Sequence, residues 1–325
     1  MKKTYGEHKI KIPMPFPVAS INSYFFPEPV PTLLDVPPRG NFFTEKLEQG
    51  LNALGFSLAD IRRIIITHPH IDHFGSAQAI AEKGKVEVWI HEGAAQALEK
   101  YEEEFIDTNN FFESLLRKSG VPEELREQTS QFFGWLKGFA CRVLPTRLLK
   151  NGDEFRLSSL NLRAVHVPGH TPYCMLFWDP DKKIAFTGDF LLKDISSNPL
   201  LQRPWAVPQG YRSVTSYARS LEHVRAMRLK AAFPGHGEPI YQPTKRITEL
   251  LRFMADRKKQ IWHILSAGAA TPFQIILRLF PGLPPDQLLL AVSEVIGYLE
   301  IFEDEGIISR HETKHELSFF LTGQS

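Results

Sequence analysis

Thr67-His68-Pro69-His70-Ile71-Asp72-His73-Phe74-Gly75 sets three imidazoles and a carboxylate within six residues of chain. The stretch directly follows Ile64-Ile65-Ile66, an apolar β-branched run that reads as a buried strand. It precedes Ser76-Ala77-Gln78-Ala79-Ile80-Ala81, which reads as a helix start. The four polar side chains therefore sit on the loop at a strand's carboxyl end, where α/β sheets build their sites. Neutral imidazole and carboxylate are zinc-compatible ligands, and the H-x-H-x-D-H spacing answers no packing requirement.

Three further loops repeat the theme: Pro168-Gly169-His170-Thr171-Pro172, Phe186-Thr187-Gly188-Asp189 and Phe233-Pro234-Gly235-His236-Gly237. Each follows an apolar strand-like run and sets one ligand-type residue directly after a glycine, which permits tight turns and close backbone approach. Five His and two Asp (His68, His70, His73, His170, His236, Asp72 and Asp189) exceed what one four-coordinate ion accepts. Two divalent ions sharing a bridging carboxylate would use all seven, spaced about 3.5–4 Å apart as in other two-metal hydrolytic centres. Zinc suits the mixed ligands best, and similar sites accept iron or manganese according to supply.

The H-x-H-x-D-H loop, followed in order by G-H, G-D and G-H, resembles the metallo-β-lactamase superfamily over roughly residues 8 to 245. Carried over by position, the resemblance implies that His68, His70 and His170 hold a first metal, Asp72, His73 and His236 a second, and that Asp189 bridges them. The implied fold is α+β, a four-layered αβ/βα sandwich whose two sheets pack face to face with helices outside and the metals at one edge. There is one departure: after His170-Thr171-Pro172 the family usually continues with Gly, whereas this chain has Tyr173 and Cys174. Tyr173 either narrows the mouth as a substrate-binding residue or packs under the sheet. Asp35, ending Leu33-Leu34-Asp35, resembles an Asp found near the metals in the family. It is expected to orient a ligand through a hydrogen bond.

At 325 residues and 43% hydrophobic content, the chain suffices for one large domain or two. With 38 basic against 37 acidic residues no global field favours polyanions, so nucleic-acid binding needs a local basic patch. The start, Met1-Lys2-Lys3-Thr4-Tyr5-Gly6-Glu7-His8, is basic but lacks the apolar core of a secretory signal, and no run approaches transmembrane length. Only Cys141 and Cys174 occur, which argues against a disulfide framework. A cytoplasmic protein with no membrane partner is expected. Cys174 reads as a small buried hydrophobe.

Strands are expected at 10–12, 20–26 and 32–36 and a helix from Thr44 to Leu54; Val86 to His91 alternates as a strand, leaving His91 as a structural histidine. Residues 1–243 form the expected catalytic domain, with a helical insertion at about 92–145 that lacks a strand signal. Phe111, Phe112, Leu115 and Leu116, then Phe132, Phe133, Trp135, Leu136 and Phe139, give the insertion more large apolar side chains than surface helices require. Either they pack on each other and on the sandwich, or they form a lid through which Phe132 and Trp135 meet substrate. Between Asp189 and His236, the stretch Asp194 to Tyr217 is rich in Pro and aromatic residues and should border the site. Its Arg203 and Arg212 are candidates for holding an anionic substrate group, or else surface arginines.

Residues 244–325 read as three helices, a polar turn at His311 to His315 and a hairpin. That order resembles the winged-helix tail of a branch that includes lactamase-B-like protein 2. Duplex DNA is nonetheless an unsuitable partner, because Asp286 to Glu305 carries six acidic residues and no Lys or Arg. A packing or homodimerisation module bordering the pocket is expected instead.

The resulting expectation is a metal-dependent hydrolase. Two cations would lower the pKa of a bridging water from 15.7 to roughly 7, so that hydroxide attacks at neutral pH without a protein nucleophile. Asp72 is a candidate for proton handling as well as a ligand. The near-neutral surface and apolar insertion suit a small-molecule thioester or related acyl ester, as in glyoxalase II-like relatives. A phosphodiesterase or endoribonuclease acting on single-stranded RNA is the alternative, and a non-catalytic metal-binding regulatory protein a third. An oxygen-reducing di-iron centre would need Glu in place of His70.

Overall fold

Short β-branched and aromatic runs build two sheets in the computed structural model, which describes residues 6–314 and 316–323. The basic start at Lys2 and Lys3 and the turn residue His315 lie outside the described residues. The first sheet has the order β1 (His8–Pro13), β2 (Ser20–Phe26), β3 (Thr32–Leu34), β4 (Arg63–Ile65), β5 (Glu87–His91) and β6 (Arg147–Leu149). It is antiparallel as far as β3 and parallel from β3 to β6. The second sheet runs β7 (Glu154–Leu157), β8 (Leu160–His166), β9 (Met175–Asp179), β10 (Ile184–Gly188) and β11 (Ala231–Pro234), with only the β10–β11 pair parallel.

Successive side chains of a strand point to opposite faces, and that alternation separates the layers. In β2, Phe25 enters a core with Ile10, Leu47 and Ile64, whereas Tyr24 and Phe26 enter a second core with Phe177, Phe186 and Phe233 of the other sheet. In β10, Ala185 faces a third core with Leu221 and Leu250, opposite Ile184 and Phe186. Three cores between four layers follow, as the αβ/βα expectation requires. Edge-on aromatic pairs fill the middle one, Tyr24 on Phe186 at 5.0 Å and Phe26 on Phe186 at 5.3 Å.

Helices α1 (Asn41–Asn52), α2 (Ile71–Phe74) and α3 (Ala77–Ala81) cover the first sheet. The insertion forms α4 (Ala95–Glu99), α5 (Tyr101–Lys118) and α6 (Glu123–Leu136). Helix α7 (Ser213–Ala226) and the first half of α8 (Pro243–Ser266) cover the second sheet, and α9 (Pro272–Leu279), α10 (Leu288–Asp304) and the hairpin β12 (Ile308–Glu312) and β13 (Leu317–Leu321) complete the chain. The C-terminal elements do not close a core alone. Phe112, Leu116 and Val121 of the insertion pack with Ile261, Ile275, Leu299 and Phe319. Helix α10 is largely buried, and its carboxylates are paired: Glu294 with Arg257 at 2.8 Å, Glu303 with Arg310 at 3.0 Å and Glu305 with Lys258 at 2.5 Å. Among the described residues no helix is long and apolar enough to cross a membrane.

Candidate metal centre

Five loops reach one edge of the sandwich, each at the carboxyl end of a strand: those following β3, β4, β8, β10 and β11. Hydrogen bonds fasten the two sheets there. Asn22 of β2 donates its backbone N–H to Gly235 O (2.7 Å) and its amide to Pro234 O (3.0 Å) and Gly237 O (2.9 Å), Tyr24 Oη donates to Pro234 O, and Met175 N donates to Thr67 O (2.9 Å). Gly188 turns with φ 47°, and a Cβ there would stand 2.5 Å from Thr67 Oγ1, so β10 closes on the His68 loop only with glycine.

The seven expected ligands meet at this edge in three overlapping groups: His68, His70 and His170; His68, His73 and Asp189; and Asp72, His73 and His236, with ligand atoms within 4.8 Å of one another in each. His70 Nδ1 lies 3.0 Å from both His68 Nε2 and His170 Nε2. Asp189 turns Oδ1 to His236 Nε2 (3.2 Å) and His73 Nε2 (3.4 Å) and Oδ2 to His170 Nε2 (3.7 Å), so one carboxylate spans both halves. Asp72 Oδ2 lies 3.4 Å from His236 Nε2.

Groups behind the ligands fix which nitrogen faces inward. His170 Nδ1 donates to Asn198 O (2.8 Å) and His236 Nδ1 to Ser20 O (2.6 Å), which leaves each Nε2 to the centre. Asp35, held at φ 57° just past β3, accepts from His73 Nδ1, Thr67 N and Thr67 Oγ1, each at 2.8 Å. Because the Thr67 hydroxyl donates to Asp35, it accepts from His68 Nδ1 at 3.0 Å. Backbone acceptors such as Ser20 O and Asn198 O carry no side-chain identity, and the sequence reading missed them. Asp35 makes the orienting bond expected of it, and Thr67, a hydroxyl abutting the motif, is a support whose signal the sequence reading left unused.

The donor set fits divalent metal. His73 Nε2, His236 Nε2 and Asp189 Oδ1 are buried and converge at 3.2–3.4 Å, yet none has a hydrogen-bond partner. Buried polar atoms are normally paired, and three orphans facing one point suit a cation. Titration behaviour agrees. Burial, followed by the neighbouring imidazoles, holds His68 well below the usual imidazole range, and burial beside His170 holds His70 at about 3, so both are neutral with lone pairs available. On the other half burial also opposes charge, but Asp189 and the other carboxylates outweigh it, raising His73 well above its usual value and His236 to about 10. Protons collect where carboxylates demand positive charge, and a metal bound there displaces them.

The remaining candidates are dispersed. Tyr173 stacks flat on His91 (5.4 Å, 17°), and a Cβ on Gly93 would touch its ring at 2.3 Å, so it packs beside the insertion's first turn. His91 in turn stacks on His166 at 4.7 Å. Arg203 and Arg212 do not present free guanidinium groups to an anion. Arg203 is closed by Glu104 and Asp107 of α5, and Arg212 by Glu300 (3.2 Å) and Asp304 (3.1 Å) of α10. Phe132 and Trp135 lie at the end of α6 with Phe16 and Phe139. Cys174 is buried with its thiol against Thr171 and pushed up to about 12 by burial, outside the three ligand groups.

Such a fold and ligand set define a metal-dependent hydrolase. The chain belongs to the metallo-beta-lactamase superfamily, whose family model matches residues 33–236. The probable metallo-hydrolase YqjP of Bacillus subtilis is 28% identical over 311 residues, 93% of either chain. The acyl-coenzyme A thioesterase MBLAC2 of Gallus gallus is 29% identical over 174 residues, covering 53% of this chain and 55% of its own length. The solved metallo-beta-lactamase family protein TTHA1429 from Thermus thermophilus shares the fold with a TM-score of 0.82 at 24% identity, covering 98% of this chain and 99% of its own.

Gly235 offers a test of how tightly the centre is built. A Cβ there would stand 2.7 Å from His73 Cε1 and 2.9 Å from Asp189 Oδ1, two ligands at once. Gly235→Ala should weaken metal binding about tenfold or more and cost about 1–3 kcal/mol of stability from overpacking. Metal titration with a competing chromophoric chelator checks this; wild-type affinity in the variant would mean the ligands are not held as described.

Proposed function

We propose that this protein is a dinuclear metal-dependent hydrolase of small-molecule acyl thioesters, with zinc in both positions. The observation that carries the reading is the convergence of seven ligand side chains, three of them with orphaned buried atoms, on one sheet edge. Two divalent cations held there would supply Lewis acidity and a water made nucleophilic near neutral pH. The chain's own residues orient and insulate. Asp35 aims His73, backbone carbonyls aim His170 and His236, and Thr67 relays Asp35 to His68. Asp72, whose side chain is 18% exposed against 12% or less for the bridging Asp189 and its histidine partners, meets solvent and is the group placed to take or give a proton.

Thioester is favoured over phosphodiester by charge. The two arginines in the loop beside the site are neutralised by four carboxylates of the chain, so they offer no grip on a phosphate backbone. The likeness to a relative named as an acyl-coenzyme A thioesterase supports the same choice. A purely regulatory role fits less well, since a complete ligand set has no need of such burial and alignment for scaffolding. We read the domain expected at 244–325 as a winged-helix-like packing module whose described residues rest on the insertion, and free Cys141 and Cys174 as suited to the cytoplasm.

The test is turnover of acyl-coenzyme A and of bis-aryl phosphodiester reporters before and after chelation, with metal restored afterwards. Thioester cleavage that is lost on chelation and regained with zinc is the expected result. Faster phosphodiester cleavage, or thioester cleavage indifferent to chelator, overturns the proposal.

A further inference from the structure

Four aromatic rings gather at the end of α6, where Phe16 and Phe139 rest on the margin of the first-sheet core and Phe132 and Trp135 extend the group outward. Phe16, in the connection from β1 to β2, meets Trp135 edge-on (5.7 Å, 82°) and Phe139 edge-on (5.2 Å, 88°). Trp135 meets Phe139 at 4.7 Å, and Phe132 leans on Trp135 at 5.7 Å. Both ends of the group are tied to metal-ligand segments. Phe139 O accepts from Arg39 N (2.6 Å) and would be touched at 2.3 Å by a Cβ on Gly75, two residues past His73. Phe16 lies four residues before Ser20, whose carbonyl orients His236. The rings stay open to solvent: Trp135 is 46% exposed and the other three are half-buried. On the opposite flank, beside His170, Tyr211 Oη donates to Gly169 O, and Tyr211 also lines a cavity of about 360 Å³ whose wall mixes Leu201, Val207 and Pro208 with Gln202, Arg212 and Glu300.

From this placement we propose that the Phe16, Phe132, Trp135 and Phe139 wall seats the acyl chain of the thioester. The inference rests on the thioester reading and adds selectivity to it. An apolar wall tied to the segments that carry Gly75, two residues past His73, and Ser20, whose carbonyl orients His236, rewards each methylene it covers. The enzyme therefore prefers medium or long acyl chains, gaining about fourfold per methylene that reaches the rings.

The experiment is a chain-length series of saturated acyl-coenzyme A substrates, from acetyl to palmitoyl, on the full metal-loaded enzyme. The wild type should show kcat/KM rising with length and then levelling off. In Phe16→Ala and Trp135→Ala, the ratio of octanoyl to acetyl kcat/KM should fall about tenfold, through KM more than kcat. Trp262→Ala, an exposed aromatic on α8, should keep the wild-type ratio. A non-hydrolysable S-octyl-coenzyme A thioether should quench tryptophan fluorescence in the wild type and much less in Trp135→Phe, a readout independent of turnover. A flat length profile in the wild type, or equal losses for acetyl and octanoyl in the variants, overturns the assignment. So does a Trp135→Ala variant that changes only the oligomeric state, which would give the wall to a second copy of the chain. Absence of thioester turnover at every length is a separate outcome that sinks the functional reading itself.

Discussion

Replacing His70 with alanine should lower thioester turnover at least about a thousandfold while leaving the fold intact. His70 Nδ1 stands 3.0 Å from the ligand nitrogens of both His68 and His170, so it is the apex that the three-His group shares. Without it two imidazoles remain, too few to hold a four-coordinate ion in a fixed geometry. The Lewis-acid contribution of a bound metal is several kcal/mol, and about 4 kcal/mol corresponds to the thousandfold stated. The ring is half-buried and meets His68 and His170 edge-on, so its loss should cost little stability, and circular dichroism should be unchanged. Elemental analysis of metal per chain, alongside turnover, checks the result. Retention of activity within tenfold of wild type would remove His70, and with it the three-His position, from the chemistry.

Why the ligands and Asp35 were readable in the sequence and the backbone supports were not is a matter of where the information lies. Each ligand is a chemically rare residue following a strand-like run, and in three loops it follows a glycine whose absence of a Cβ is required locally. At Gly188 and Gly235 the structure supplies the reason, since a Cβ would strike Thr67 or two ligands. The layering was readable for a similar reason, because alternation in Tyr24-Phe25-Phe26 encodes two faces within three residues. The partners of Arg203 and Arg212, by contrast, come from helices 96 and 88 or more residues away, so a local view sees only free cations beside a site. The same holds for α10. Its acidity argues against duplex DNA from composition alone, but the burial of the helix and its pairing to Arg212, Arg257 and Arg310 depend on elements that only the fold brings together. The insertion divides in a way no periodicity announces. Phe112 and Leu116 pack under the C-terminal helices, whereas Phe132 and Trp135 turn to Phe16. A boundary drawn at residue 243 therefore marks the start of α8 but not the edge of an independent core, because α8 begins on the sandwich with Ile247 and Leu250 and ends in the C-terminal cluster with Ile261 and Leu265.

Asp35→Asn isolates the support behind the ligands and should produce the second-largest effect. The carboxylate is 2% exposed and accepts three hydrogen bonds, two from Thr67 and one from His73 Nδ1. Asparagine keeps the size and tolerates the positive φ of 57° at this position, so backbone strain is not the variable being changed. One end of the new amide is now a donor, however, and it stands in place of either Oδ2, which accepts from both the Thr67 hydroxyl and His73 Nδ1, or Oδ1, which accepts from Thr67 N. In place of Oδ2 it confronts the His73 N–H with a second donor, so the ring is free to turn, and the Thr67 hydroxyl must redirect its proton, which disturbs its bond to His68. In place of Oδ1 it confronts the Thr67 backbone N–H, and the turn that carries His68 must shift. Either way a ligand to the centre loses its fixed orientation, and a loss of about 10–100-fold in metal affinity is expected. The buried unpaired donor should also cost the metal-free protein about 1–3 kcal/mol, visible as a lower melting temperature before any metal is added. Asp35→Ala should lose more stability than Asp35→Asn, since it adds the strain of a left-handed backbone to the missing bonds. Calorimetric metal titration and thermal melts of the metal-free forms separate the two effects. Asp35→Asn binding metal as tightly as wild type would show that His73 is held by packing alone, and that the three converging hydrogen bonds serve the turn after β3 rather than the metal centre.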